Sequence, residues 1–336
     1  MSRKLIEFII FTISIISIVV SIFVYQSFRL QKYLLLEFNT NNYNIPLSIA
    51  DALNIKIPNI SVTALSMGPL ISKYHIRDKD YKGAISKVYE TWDTSPYSGF
   101  QELALSQIYD DLNLKDSSIF YSRIAFNKLP NAAHFAKYLR DLNKYNDSIY
   151  ISHDVFQKVK NKNNIQQWKI YLSFLVVDTT QNKLTSKKIA KEALQIFNNS
   201  DEIRIASHYI LYGKENVDEA ILSDAESQRL FEIKEYDEAI FQLEKAIKLY
   251  PVVYSYYENL GILYLEKNRH EDALSKFNFV LDSFNDINYS KSQYLKAITL
   301  EKIDNQKYSD EICNLLEKSR SNNYVPAFEK YNTNCK

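Results

Sequence analysis

Two hydrophobic patterns divide this chain. From Phe8 to Tyr25 the run FIIFTISIISIVVSIFVY carries no formal charge. At about 1.5 Å per helical residue, such a run nearly spans a hydrocarbon core. Leu5 and Ile6 extend it past Glu7. Beyond it, apolar residues return at helical spacing almost to the end of the sequence. The clearest stretch runs from Tyr254 to Leu281, YSYYENLGILYLEKNRHEDALSKFNFVL. Tyr257, Leu260, Gly261 and Tyr264 recur at i, i+3, i+4, i+7, which is one face of a helix. Ala273, Phe277 and Val280 form the face of a second helix, and the polar Glu266 to His270 segment reads as the turn between them. Gly inside a helix costs about 1 kcal/mol relative to Ala. Gly261 is therefore expected where the second helix approaches closely, at Ala273.

The preceding segment, SQRLFEIKEYDEAIFQLEKAIKLYP, repeats the pattern with Ser227, Leu230, Ala239, Leu243, Ala246 and Pro251. Ala239 and Ala273 stand about 34 residues apart, the period of the tetratricopeptide repeat. On these landmarks the chain resembles that family. The resemblance implies an all-α fold: an α-solenoid of antiparallel helix pairs, here behind a single N-terminal transmembrane helix.

Weaker pairs precede these two. ISKYHIRDKDYKGAISKVYETWDTSP carries Ala84 and Val88, and the next unit carries Leu105, Tyr109, Ser118, Ala125 and Pro130. From Asn131 to Gly213 helices are predicted over 132–142, 149–159, 165–177, 186–197 and 201–212, without the landmarks. Residues 41–67 hold two prolines and no sustained helical period, and read as an irregular connector. The expected division is a basic start (1–4), a membrane anchor (5–26), a helical extension and connector (27–68) and two degenerate repeats (69–130). A spacer or further degenerate repeats (131–219), two well-formed repeats (220–287) and a terminal repeat with a capping helix (288–336) follow.

The apolar run reads as an uncleaved single-pass anchor. A cleaved signal peptide is the competing reading, but its core would be shorter and no A-x-A-like site follows. Arg3 and Lys4 precede the run and Arg29 and Lys32 follow it. The positive-inside bias is slight, and favours a body outside the cytoplasm, in the periplasm or beyond. Ser14, Ser17 and Ser21 share a helical face, which would let two spans pack as a homodimer or simply bond back to their own helix.

Composition removes several chemistries. With 41 Lys and Arg against 40 Asp and Glu, there is no electrostatic case for nucleic acid. The five histidines lack metal-ligand spacing, and no nucleophile elbow, P-loop or dinucleotide fingerprint appears. No enzyme activity, cofactor or metal is expected. Acidic pairs such as Asp110–Asp111 and Glu271–Asp272 read as helix starts or solvated faces. Trp92 and Trp168 read as core. Cys313 and Cys335 either pair, closing a loop worth about 3 kcal/mol, or stay separate thiols, depending on compartment.

In the tetratricopeptide family the concave face commonly binds segments of partner proteins. One subset clamps a C-terminal carboxylate with Lys and Asn. The matching positions here are Asp224, Gln228, Glu258 and Ile262, so that clamp is absent. With Leu265 these residues form the expected partner groove, suited to an apolar or basic segment. The helix-packing set is Ala239, Leu243, Ala246, Tyr257, Leu260, Gly261, Tyr264, Ala273 and Phe277. The expected function is a membrane-anchored scaffold for protein partners in a bacterial envelope. A narrower resemblance rests on IPNISVTALSMGPLISKY, SPYSGFQELALSQIY and DSSIFYSRIAFNKLPNAAHF. These are similar to the repeat tails of O-antigen polymerase/ligase-type proteins of Bacteroidetes-like bacteria. That implies an accessory role in cell-surface polysaccharide assembly; a cytoplasm-facing assembly adaptor is the remaining alternative.

Overall fold

A 38-residue helix, α1 (Arg3–Thr40), opens the structure. It contains neither Gly nor Pro, so nothing breaks it where the apolar run ends. The expected anchor and its extension are one continuous rod of about 57 Å. The structure is a computed structural model that describes residues 3–53, 61, 63–145, 149–161, 163–177, 183–284 and 289–335. The rest, including parts of the expected basic start, connector, spacer and repeat boundary, lie outside the described residues. Among the described residues every regular element is helical. They fall into two units, 1–183 and 184–336.

In the first unit, residues 6–25 of α1 are exposed and form the one described helix long and apolar enough to cross a membrane. Ser14 Oγ donates to the Ile10 carbonyl at 2.9 Å, the back-bonded arrangement. From Ser27 onward one face of α1 is buried: Ser27, Gln31, Leu34 and Leu35. Leu34 and Leu35 share a core with Ala50, Leu53, Met67, Leu70, Ile71 and Tyr74. The Glu37 carboxylate accepts the backbone N–H groups of Asn44 (3.0 Å) and Ile45 (3.1 Å) and the Tyr74 hydroxyl (2.9 Å), fixing the chain as it leaves α1. The connector is not wholly irregular. Pro46, with φ −55°, starts the short helix α2 (Leu47–Asp51), where a missing N–H costs nothing.

Helix hairpins follow: α3 (Met67–Arg77) with α4 (Tyr81–Glu90), then α5 (Phe100–Asp111) with α6 (Lys115–Lys128). After them come α7 (Ala132–Lys144), α8 (Ile149–Val159) and α9 (Ile165–Val177). Trp168 is fully buried in a file of rings that includes Phe156 and Tyr171. Trp92, expected in the core, is only half-buried.

The second unit contains α10 (Lys183–Ile196, whose first residue belongs to the first unit), α11 (Asp201–Tyr212) and α12 (Lys214–Glu232). It continues with α13 (Tyr236–Leu249), α14 (Tyr254–Glu266), α15 (His270–Ser283), α16 (Ser290–Asp304), α17 (Ser309–Ser321) and α18 (Val325–Asn334). Successive helices pack on one another from α11 to α18. Ala239, Leu243, Ala246, Leu260, Ala273, Phe277 and Val280 are buried in one core, together with Tyr257 and Tyr264. Each fully buried Leu or Phe there contributes about 1.5–3 kcal/mol. A Cβ on Gly261 would lie 2.6 Å from the Phe277 ring, so only Gly lets these two helices meet.

The hairpins are repeats in their own geometry. Each turn holds one left-handed residue: Lys79, Asn113, Lys234 and Asn268, with φ of 61°, 56°, 64° and 57°. Within each unit they stand one period of about 34 residues apart. The next N–H bonds back into the first helix: Asp80 to His75 (2.9 Å), Leu114 to Tyr109 (2.8 Å), Glu235 to Leu230 (2.9 Å) and Arg269 to Tyr264 (2.8 Å). This is the Schellman closure, which satisfies helix-end carbonyls. At a fixed distance before each turn stands a small buried residue: Ser72, Ser106, Ser227 or Gly261. At a fixed distance after it stand Ala84, Ser118, Ala239 and Ala273, all fully buried.

Candidate partner-binding cleft

In the second unit α12 and α14 lie side by side and leave a solvent-open cleft of about 490 Å³. Its walls are Ser227, Gln228, Phe231 and Glu232 from α12 and Asn259, Ile262 and Leu263 from α14. Asp224, Gln228 and Phe231 occupy one face of α12, at i, i+4, i+7. Phe231 remains 37% exposed. Ile262 is half-buried.

The five expected groove residues do not behave alike. Gln228 and Ile262 line the cleft. Asp224 sits at its edge, and the Gln228 amide donates to the Asp224 carboxylate at 2.9 Å. Burial pushes the Asp224 carboxyl above its ordinary range, although hydrogen bonds from Gln228 and Asn259 pull it back. Glu258 is not on an open wall and corrects the expectation: it is 4% exposed. Its carboxylate accepts the Ser292 hydroxyl and meets Lys291 at 3.4 Å. A buried carboxylate needs such partners, and these commit Glu258 to joining α14 to α16. Leu265 packs against the core and is not a cleft-lining residue. Phe231 was missed, although its place on the Asp224–Gln228 face was readable. The carboxylate within the lining is Glu232, and no cation lines the cleft among the described residues. An apolar floor with an acidic rim suits a partner segment that is apolar and basic.

A second polar arrangement, in the first unit, faces inward. Asp141 of α7 is fully buried and accepts hydroxyls from Ser106 and Ser118, each at 3.1 Å. Those are the two small-residue positions of the α5/α6 hairpin. Lys137 Nζ pairs with Asp141 and lies 3.2 Å from Asp110. Asp110 also receives Lys144 and the Tyr145 hydroxyl. Burial alone would raise the Asp110 carboxyl, but the Lys144 and Tyr145 hydrogen bonds and the Lys137 charge hold it down at about 2. The reading of Asp110 as a solvated helix start is thereby corrected. It lies at the end of α5, where a carboxylate opposes the helix dipole and cations must offset it. These hydrogen bonds and ion pairs tie α5 and α6 to α7.

Cys313 of α17 and Cys335, just after α18, are joined by a disulfide with Cα atoms 5.6 Å apart. It closes the chain end onto the last hairpin.

No protein-family model matches the chain, and no curated protein matches it in sequence. Among solved structures it is similar to a tetratricopeptide repeat protein from Parabacteroides merdae, at 10% identity over 93% of this chain and 100% of that one, with a TM-score of 0.32. It is also similar to the TPR domain of P58(IPK), at 11% identity over 92% and 96% and a TM-score of 0.38. A third is the TPR2AB domain:pHSP90 complex of yeast Sti1, at 14% identity over 79% and 96% and a TM-score of 0.32. The chain's own turns and small-residue positions, rather than these scores, make its hairpins tetratricopeptide-type. The fold class is a helical repeat with one apolar N-terminal helix.

Proposed function

We propose that the protein is a membrane-anchored scaffold whose α12/α14 cleft holds an apolar, basic segment of a partner protein, with the body outside the cytoplasm. The observation that carries this reading is the half-exposed Phe231 beside Ile262, in an open cleft whose rim is acidic. The exposed residues 6–25 support the anchor, since apolar side chains need a non-aqueous neighbour along that length. The Cys313–Cys335 disulfide supports an oxidising compartment and so favours the extracytoplasmic scaffold over the cytoplasmic adaptor.

The test uses the full chain in its native membrane. A partner recovered with the wild type should bind at least tenfold more weakly to Phe231→Ala and Ile262→Asp variants that keep their helical circular dichroism. Undiminished binding would contradict the cleft as the docking site. Cysteines found reduced in the native membrane, with the carboxyl-terminal unit reached only from the cytoplasmic side, would reverse the orientation.

A further inference from the structure

Past Tyr25 the sides of α1 differ. Ser27, Gln31, Leu34 and Leu35 are buried. Tyr25, Phe28, Arg29, Lys32, Tyr33 and Leu36 are exposed. They fall at i, i+3, i+4, i+7, i+8 and i+11, a single helical face turned away from the buried one. Four of the six are aromatic or large and apolar, with Tyr25 62% and Tyr33 53% exposed. The other two are cations, and neither Arg29 nor Lys32 forms an ion pair among the described residues. Glu37, the nearest carboxylate along the helix, is already engaged by the Asn44 and Ile45 N–H groups and the Tyr74 hydroxyl.

The depth of these residues follows from the helix. A hydrocarbon core is about 30 Å thick and the whole bilayer about 40–45 Å, which leaves about 5–7 Å of headgroup layer on each side. With no Gly or Pro to bend α1, Arg29 stands about 6 Å and Lys32 about 10 Å beyond Tyr25. Helical side chains lean towards the N-terminus, here towards the membrane, and a long cationic side chain reaches back to the interface. Exposed rings at Tyr25 and Phe28 suit the same layer. A second copy packed in parallel on this face would bring two Arg29 and two Lys32 side chains together, with no carboxylate on the face to separate them.

We propose that Tyr25, Phe28, Arg29, Lys32 and Tyr33 form a binding site for anionic lipid headgroups in the leaflet next to the body. Arg29 and Lys32 pair with lipid phosphate, and the rings lie among the headgroups. Leu34 and Leu35 of the same helix are built into the core of the first unit, so lipid held here keeps that unit at the bilayer surface. This rests on the reading of residues 6–25 as a membrane anchor.

The experiment uses the full chain in nanodiscs of equal phosphatidylcholine and phosphatidylglycerol, with a photoreactive headgroup on one lipid or the other. The phosphatidylglycerol probe should label residues 25–36 about fivefold more than the phosphatidylcholine probe. The excess should vanish in Arg29→Gln/Lys32→Gln and persist in Lys234→Gln/Lys248→Gln, which removes the same charge from the second unit. Equal labelling by the two probes, an excess that survives without Arg29 and Lys32, or an equal loss in the control variant overturns the proposal. A photoreactive residue at Tyr33 in native membranes should give lipid adducts. A cross-linked dimer of this chain, or an adduct with another protein in place of lipid, overturns it. A third probe, photoreactive within the acyl chain, separates this inference from the anchor. Acyl-chain labelling of residues 8–25 without a phosphatidylglycerol excess at 25–36 refutes this inference alone; no acyl-chain labelling of 8–25 refutes the anchor as well.

Discussion

The α14/α15 hairpin and the α5/α6 hairpin have the same turn and the same paired small residues, but their interiors differ. In the first, Gly261 and Ala273 let helices meet on the Phe277 ring, and the contact is apolar. In the second, both small positions are serines, Ser106 and Ser118, and both hydroxyls turn to Asp141 of the next helix. A methyl-sized position thus serves either as a place for close packing or as an entry for a buried polar network. The repeat geometry tolerates the exchange because Ala and Ser differ by one atom. The exchange is costly only if the network loses a member.

That asymmetry sets the largest expected effect. Asp141→Ala leaves the buried Lys137 with Asp110 as its remaining carboxylate partner and takes the acceptor from the Ser106 hydroxyl, and should destabilise the first unit by about 3 kcal/mol or more. Ser118→Ala should cost only about 1 kcal/mol. Hydrogen exchange in α5 to α7 reads both; equal costs would erase the distinction drawn between the hairpins. In the second unit, Cys313→Ser should remove about 3 kcal/mol, by the chain-entropy estimate for a loop of this size. The loss should appear in α17 and α18, and leave α5 to α7 unchanged.

Gly261→Ala comes next, at about 0–2 kcal/mol, because overpacking costs about 1–3 kcal/mol and better helix propensity returns about 1. Combining it with Phe277→Leu should give less than the summed losses in urea denaturation. Strict additivity would mean that the two residues do not meet as described. A further effect is in acid. The Asp110 carboxyl is held at about 2 in the folded unit, against about 3.9 unfolded. A depressed carboxyl contributes stability that is full above the unfolded value and lost as pH falls through the folded one. The first unit should therefore weaken between about pH 4 and pH 2, and Asp110→Asn should flatten that slope. The second unit offers an opposite case. Burial raises Asp224, so a basic segment in the α12/α14 cleft should begin to dissociate at a higher pH than an ordinary carboxylate would dictate.

Much of the helical order was legible because apolar periodicity and turn position are local. The stretch from Tyr254 to Leu281 announced both helices, and Asp201–Tyr212 was recoverable without any landmark. What could not be read was long-range polar pairing. Ser106 and Ser118 find Asp141 35 and 23 residues along the chain, and no local pattern announces that meeting. Asp110 was misplaced for the same reason, since its cations come from α7. Glu258 looked like a groove residue because helical phase gives direction, whereas burial depends on what the next helix brings, here Ser292 and Lys291. Phe231 is the reverse case: its place seven residues after Asp224, on the same helical face, is a local signal, but it falls outside the repeat's packing positions.

The most direct test of the scaffold account places a photo-crosslinking amino acid at Ile262, at Phe231 and at Phe241 in the full chain, in native membranes. Phe241 is 64% exposed on α13 and lines no part of the cleft, so it serves as the control. The account predicts the same discrete protein adduct from Ile262 and Phe231 and none from Phe241. Adducts of equal yield from all three positions, or none from the two cleft positions, would contradict it.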